Sequence, residues 1–377
     1  MRGMGYDFSM ATSPTTAPHA DRLTALDAFR GLTIAFMVLV NNAGDGSNVY
    51  PPLQHAEWDG WTPTDMVFPS FVWIAGVALT LSMAKRLAAG ASKSALLLQA
   101  LRRAFVIYVL GIIVYAAPHF DPSTQRLLGV LQRIAICYFV AAAIYLHTKL
   151  RGQILWILGL LGGYWLLMVF VPVPGFGPGR LDVEGNLAHY VDRIVLGAHN
   201  YHNTKTWDPE GIVSTLPAIA TALLGVVCGQ MLKMSRPLVE RIPRMAALGV
   251  VLIVAGEICN IWLPINKKLW TSSFTLFMAG MDFVLLLAFL WIVDVKGHKR
   301  AVQPLVMVGL NSITVYMLSE LLDEALGFSG LHERIYESVF VPIASPMNAS
   351  LLWALAYTGL MVLAAWVMKV KGWVIRA

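Results

Sequence analysis

Ten long apolar stretches decide what this chain can become. They run over residues 24–42, 65–84, 99–117, 127–147, 154–172, 211–232, 244–263, 272–294, 302–322 and 350–368. Each is long enough to carry a helix across a hydrocarbon core about 30 Å thick. A helix satisfies its own backbone hydrogen bonds, which lipid cannot do for it. The alternating ten-residue segments of a barrel are missing. Composition agrees, because charged residues make up only 13% of the 377 positions, about half the share usual in soluble domains. The pattern predicts an all-α membrane protein, a bundle of about ten transmembrane helices forming one domain over 23–377. Residues 1–22 are polar, lack the apolar core of a cleavable signal, and read as a flexible cytoplasmic tail.

Lysine and arginine set the expected orientation. Of 28 basic residues, 19 fall in the tail, the C-terminal end and every second loop, among them Arg102, Arg103, Lys149, Arg151, Lys233 and Arg244. The opposite loops hold seven: Arg126, Arg180, Arg193, Lys205, Lys267, Lys268 and Arg334. Both termini are therefore expected in the cytoplasm, and the long segments 43–64, 173–210 and 323–349 outside. The net charge of +6 then reflects topology and not nucleic-acid binding. No internal repeat of the kind common in transporters is evident.

Charged and amide side chains inside apolar spans are costly and usually face a cavity. Asp27 and Arg30, three apart near the inner end of the first span, are spaced for an ion pair. Asn41 and Asn42 close that span, and Asp65 opens the second. Gln132 and Arg133 lie in the fourth, Asp208 and Glu210 precede the sixth, and Glu257 and Asn260 sit in the seventh. Asn311 and Glu320 belong to the ninth. Most fall in the outer half of the bilayer, which predicts a polar cavity opening outward.

The first outer loop carries His55, the one residue in it able to exchange a proton near neutral pH. Glu57, Asp59 and Asp65 are near enough in sequence to orient its ring, although a lone loop histidine is often only a surface residue. His189, His199 and His202 have no cysteine with them and no i,i+4 pairing, so a metal site is not expected. Cys137, Cys228 and Cys259 lie in apolar runs and read as small buried hydrophobes. Phosphate-binding loops, nucleophile elbows and dinucleotide fingerprints are all missing.

Several blocks carry a family resemblance. Leu26-Asp-Ala-Phe-Arg-Gly-Leu-Thr, Leu53-Gln-His55-Ala-Glu-Trp-Asp-Gly-Trp-Thr-Pro-Thr-Asp65, Gly129-Val-Leu-Gln-Arg133, Trp207-Asp-Pro-Glu-Gly211, Pro264-Ile-Asn-Lys-Lys-Leu-Trp and Gly309-Leu-Asn311-Ser occur in that order. Together they resemble the heparan-alpha-glucosaminide N-acetyltransferase family of transmembrane acyltransferases, specifically its bacterial inner-membrane members. The resemblance implies a catalytic histidine at His55 and an active-site asparagine at Asn41. It also implies acetyl-CoA as co-substrate from the cytosol, an acceptor amine on the far side, and a homodimer. Since bacteria make no heparan sulfate, a glucosamine-type or cell-wall amino sugar is the expected acceptor.

A thioester is already activated, so the protein must supply a neutral amine, align both reactants and stabilise an oxyanion. His55 suits the role of general base. As a nucleophile it would instead form an acetyl-imidazole, and the sequence leaves both open. Asp65 is expected to orient the imidazole and Asn41 to donate to the oxyanion, unless Asn41 only caps its helix. Arg30, Arg102, Arg103, Arg133 and Asn311 are the expected CoA contacts, since guanidinium forks suit phosphate. Asn42, Trp58, Asp208, Glu210, Glu257 and Glu320 are the expected acceptor contacts. A rival class is an amino-sugar transporter without covalent chemistry, for which ten spans and a polar cavity would also serve.

Overall fold

The computed structural model describes residues 23–117 and 119–373. The expected tail 1–22 and Arg376 lie outside the described residues. In chain order the helices are α1 (Thr24–Asn41), α2 (Pro63–Ala88), α3 (Lys93–Ala116), α4 (Val130–His147), α5 (Leu150–Phe170), the short α6 (Leu187–Val195), α7 (Thr215–Leu232), α8 (Leu238–Asn260) and α9 (Ser272–Phe289). They are followed by α10 (Gln303–Leu310), α11 (Ser312–Phe328), the one-turn α12 (Leu331–Ile335) and α13 (Pro346–Val370). The extended structure among the described residues is one isolated bridge, Val173 to Gly177. Nine helices there are long and apolar enough to cross a membrane, and α10 with α11 makes a tenth crossing if counted as one span.

That tenth crossing departs from the expectation of a continuous helix over 302–322. The chain bends by 81° between α10 and α11, at Asn311, whose carboxamide donates to the Trp373 carbonyl at 3.2 Å. Close packing fixes α10 against α1 just before this bend. A Cβ on Gly309 would stand 2.0 Å from the Asp27 carbonyl oxygen, and one on Gly31 would stand 1.7 Å from that of Leu305. Two glycines thus let α1 and α10 touch backbone to backbone, as small residues commonly do in membrane bundles.

The centre of the bundle is α7, with α2 beside it, and both are largely buried by their neighbours. Gly76 and Gly225 allow that contact, since a Cβ on either would meet a carbonyl oxygen of the other helix at 2.0 Å. By contrast α3, α5, α8 and α13 expose most of their surface, as helices on a lipid-facing rim would. A second, smaller apolar cluster sits under the long loops, where Tyr164, Met168, Val173, Leu187, Val213 and Leu263 pack together. It fixes those loops on the end of the bundle where α1 finishes and α2 starts.

Candidate active site

The start of α2 builds the centre of the site. Pro63 occupies the first turn, where its missing N–H costs nothing. Asp65 sits at the third helical position and accepts from the Thr62 backbone N–H at 3.0 Å, closing half of a capping box. The same oxygen, Oδ2, also accepts from the Ala56 N–H at 3.1 Å. Its partner Oδ1 lies 2.7 Å from His55 Nδ1. A carboxylate can only accept, so Nδ1 carries the hydrogen and Nε2 keeps its lone pair. The Asp65 side chain is 1% exposed and that of His55 46%. A fixed, buried carboxylate therefore holds an imidazole that opens outward.

Lys267 comes to the same ring from the loop before α9. Its Nζ lies 3.1 Å from His55 Nδ1 and 3.2 Å from Nε2, and 3.8 Å from Asp65 Oδ1. Near-equal distances to both nitrogens put the ammonium over the ring face, out of line with either lone pair. Burial pulls the Lys267 amine below the ordinary lysine range, with Asp65 and Glu210 opposing that shift. The loop is held in register by Gly60 N–H to the Ile265 carbonyl, 2.7 Å, and by Asn266 to Asp59, 3.2 Å. Sequence reasoning counted Lys267 only as an outer-loop charge.

A second polar cluster lies beside the first. Arg126 grips Asp208 with two N–H donors, Nε at 2.8 Å and Nη2 at 2.6 Å, and Nη2 also reaches Glu210. Its guanidinium stacks near Tyr115 and Tyr201, 4.7 and 4.3 Å from the ring centroids. Burial pushes the Glu210 carboxyl up, but Arg126, Arg133 and Lys267 outweigh it and hold the group below the ordinary range. Asp192 accepts from the Ile212 and Asp208 N–H groups, yet burial still raises its carboxyl to about 6. Gly211 is required there, because a Cβ would stand 2.0 Å from Asp192 Oδ2. Asp208 and Glu210 are thus engaged with Arg126, another residue that sequence reasoning had not singled out.

Arg133 is buried one turn into α4, where it donates to the Gly211 carbonyl at 3.0 Å and to Ser214. It belongs to the His55 end and not beside Arg30 and Arg103. Asn41 turns its amide to Glu320 at 3.4 Å. Direct contacts therefore join His55, Asp65 and Lys267 in one group, Arg126, Asp208 and Glu210 in a second, and Asn41 with Glu320 in a third.

Asn42 is buried and bonds back to the Val38 carbonyl at 2.8 Å, capping α1. Trp58 donates to the Leu181 carbonyl at 3.0 Å and packs edge-on to His189 and Trp207. It supports the loop from below. Glu257 is exposed on α8, where its carboxylate accepts from Asn260, and does not join the others. Burial lowers His189 to about 4, so it stays neutral, stacked on Trp207. His199 and His202 bond elsewhere, and no metal-holding group of three ligands occurs among the described residues.

Toward the other end of the bundle, Arg30 and Arg103 line one cavity of about 60 Å³ between α1, α2, α3, α4 and α11. Arg30 also pairs with Asp27 at 3.5 Å, and Arg103 lies over the Tyr138 ring. Arg102 is exposed on α3 and outside that wall. Phe71, Ile134 and Ile313 are shared with a smaller apolar void of about 10 Å³, whose other walls include Met37, Phe68, Val130 and Tyr316. The two voids form a line from Arg30 toward the start of α4.

Residues 22–264 match the family model described as heparan-alpha-glucosaminide N-acetyltransferase, catalytic. The mouse protein named heparan-alpha-glucosaminide N-acetyltransferase is 33% identical over 368 residues, covering 83% of this chain and 56% of its own length. The human protein of the same name is 32% identical over 361 residues, covering 81% and 54%. The chain thus spans about half the length of the curated relatives it matches. With the family model and both relatives in agreement, the chain belongs to the heparan-alpha-glucosaminide N-acetyltransferase catalytic family.

Proposed function

We propose that this protein is a transmembrane acetyltransferase. It moves acetyl from cytosolic acetyl-CoA to the amine of a glucosamine-type sugar on the periplasmic side of a bacterial inner membrane. The observation that carries the reading is the Asp65–His55 pair, which fixes the tautomer and leaves the Nε2 lone pair unprotonated in an open ring. In this reaction the acceptor nitrogen attacks the thioester carbonyl carbon, the C–N bond forms, and the carbonyl pair moves to oxygen. The C–S bond then breaks and CoA leaves as thiolate. His55 Nε2 takes the proton the amine must lose and passes it to the leaving sulfur. The Asn41 amide and the Lys267 ammonium are the nearby donors suited to the oxyanion.

The line of voids from Arg30 and Arg103 toward α4 supports entry of the CoA arm from the basic end. Phe71, Ile134 and Ile313 form the constriction it must pass, while both guanidinium groups remain behind for the phosphates. Glu320, Asp323 and Glu324 follow one another on α11 beside Asn41 and favour an acceptor that arrives as a cation. Proteoliposomes with labelled acetyl-CoA on the side of the basic loops and glucosamine on the other test this directly. Acetylated sugar on the acceptor side is expected. Movement of unmodified glucosamine without any transfer would replace the enzyme with a transporter.

A further inference from the structure

A large cavity among the described residues lies outside the residues proposed for acetyl transfer. It is a groove of about 940 Å³ bounded by α5, α7, α8 and α9, and it shares no wall residue with the cavity of Arg30 and Arg103. Its walls are hydrocarbon almost throughout, including Leu158, Leu161, Leu224, Leu252 and Trp262. The polar side chains that touch it are already engaged. Gln230 bonds to Gln153, and Ser272 donates to the Leu161 carbonyl at 2.9 Å. Along α5 the lining runs from Leu150 to Trp165, roughly 22 Å at 1.5 Å per residue. The groove therefore reaches through more than one leaflet of a core about 30 Å thick.

Charge decides between occupants. At the end lined by Leu150 and Met234, exposed Lys149, Arg151 and Lys233 stand immediately beside the lining residues. A second copy docked here about a two-fold axis along the membrane normal would bring this cationic rim against itself, because an isologous contact repeats the same patch on both sides. An anionic headgroup neutralises the same rim while its chains fill the groove. We propose that the groove between α5 and α8 is a specific site for an anionic diacyl phospholipid, with its phosphate at Lys149, Arg151 and Lys233 and its acyl chains along Leu158, Leu224 and Leu252.

The test uses the purified full chain, incubated with phosphatidylglycerol or with phosphatidylcholine of identical chains and read by native mass spectrometry. Phosphatidylglycerol should be retained in preference. The Lys149→Gln, Arg151→Gln, Lys233→Gln triple variant should lose about five-fold in its retention per charge removed. Leu158→Trp, at a position 61% exposed that a folded protein tolerates, should reduce retention of both lipids by filling the groove. Equal retention of the two lipids, or preference undiminished in the triple variant with an unchanged melting temperature, overturns the proposal. Disulfide crosslinking of Leu158→Cys between copies in membranes also overturns it, by making the face a dimer contact.

Discussion

Asp65→Asn probes the site at the atom that defines it. Two backbone N–H groups, from Ala56 and Thr62, converge on Oδ2 at 3.1 and 3.0 Å. An asparagine must keep its oxygen at that position, or it would bury two donors facing a third. Its NH₂ then points at His55 Nδ1. That nitrogen must turn into an acceptor, and the proton moves to Nε2, where the base is needed. The backbone should barely change, since the side chain stays isosteric. Two charge interactions are lost, the helix N-terminal one worth about 0.3–1 kcal/mol and the pairing with Lys267 at 3.8 Å, so unfolding must be measured beside activity. Catalysis should fall far more. Wrong-tautomer substitutions of this type cost about 10⁴-fold, equal to roughly 5.5 kcal/mol of barrier at about 1.36 kcal/mol per factor of ten. The assay is release of CoA thiol from acetyl-CoA with glucosamine, with thermal unfolding in detergent as the control. A folded Asp65→Asn enzyme within about three-fold of wild-type kcat would refute the tautomer argument.

Arg126→Gln should be severely destabilising, because it leaves Asp208 and Glu210 buried together without their cation, a loss of about 3–5 kcal/mol. Arg180→Gln, which breaks an exposed pair with Asp182, should cost under about 1 kcal/mol, and unfolding curves of both variants check the contrast. For Lys267 the sign follows from burial. Its amine titrates below the ordinary lysine range, so the charged form is the strained one, and the strain is relieved as pH rises through that lowered value. If the ammonium serves the oxyanion, wild-type kcat should decline on the alkaline side below pH of about 10.4, the free-lysine value. Lys267→Arg should lose that decline, since guanidinium stays charged, and identical alkaline profiles for the two would remove Lys267 from the chemistry.

Hydropathy alone made the spans legible, because each apolar run must become a helix in lipid whatever it packs against. The break at Asn311 was not legible. It follows Gly309, which packs against the backbone at Asp27 some 280 positions away, and no proline marks it. The Asp65–His55 pair could be reached from sequence because the two lie ten residues apart in one loop. Lys267, 212 residues from His55, could not be paired with it. A signal for it did exist, since Arg126 and Lys267 are among the seven basic residues on the sparsely basic side. A positive charge kept against that bias asks for a local reason. Asp208 and Glu210 were visible as acids near a span, but only the fold reveals that one arginine takes them both.

His55 is the proton acceptor of the proposed acetyl transfer. The most direct measurement is turnover and acetyl-CoA affinity of His55→Ala beside wild type, with labelled acetyl-CoA and glucosamine. Turnover should fall about 10²–10⁴-fold, the usual worth of a positioned general base, while acetyl-CoA binds as before, because Arg30 and Arg103, the residues proposed to hold the CoA phosphates, line a cavity that does not include His55. Near-normal turnover in the folded variant would reduce His55 to a surface histidine and contradict the account.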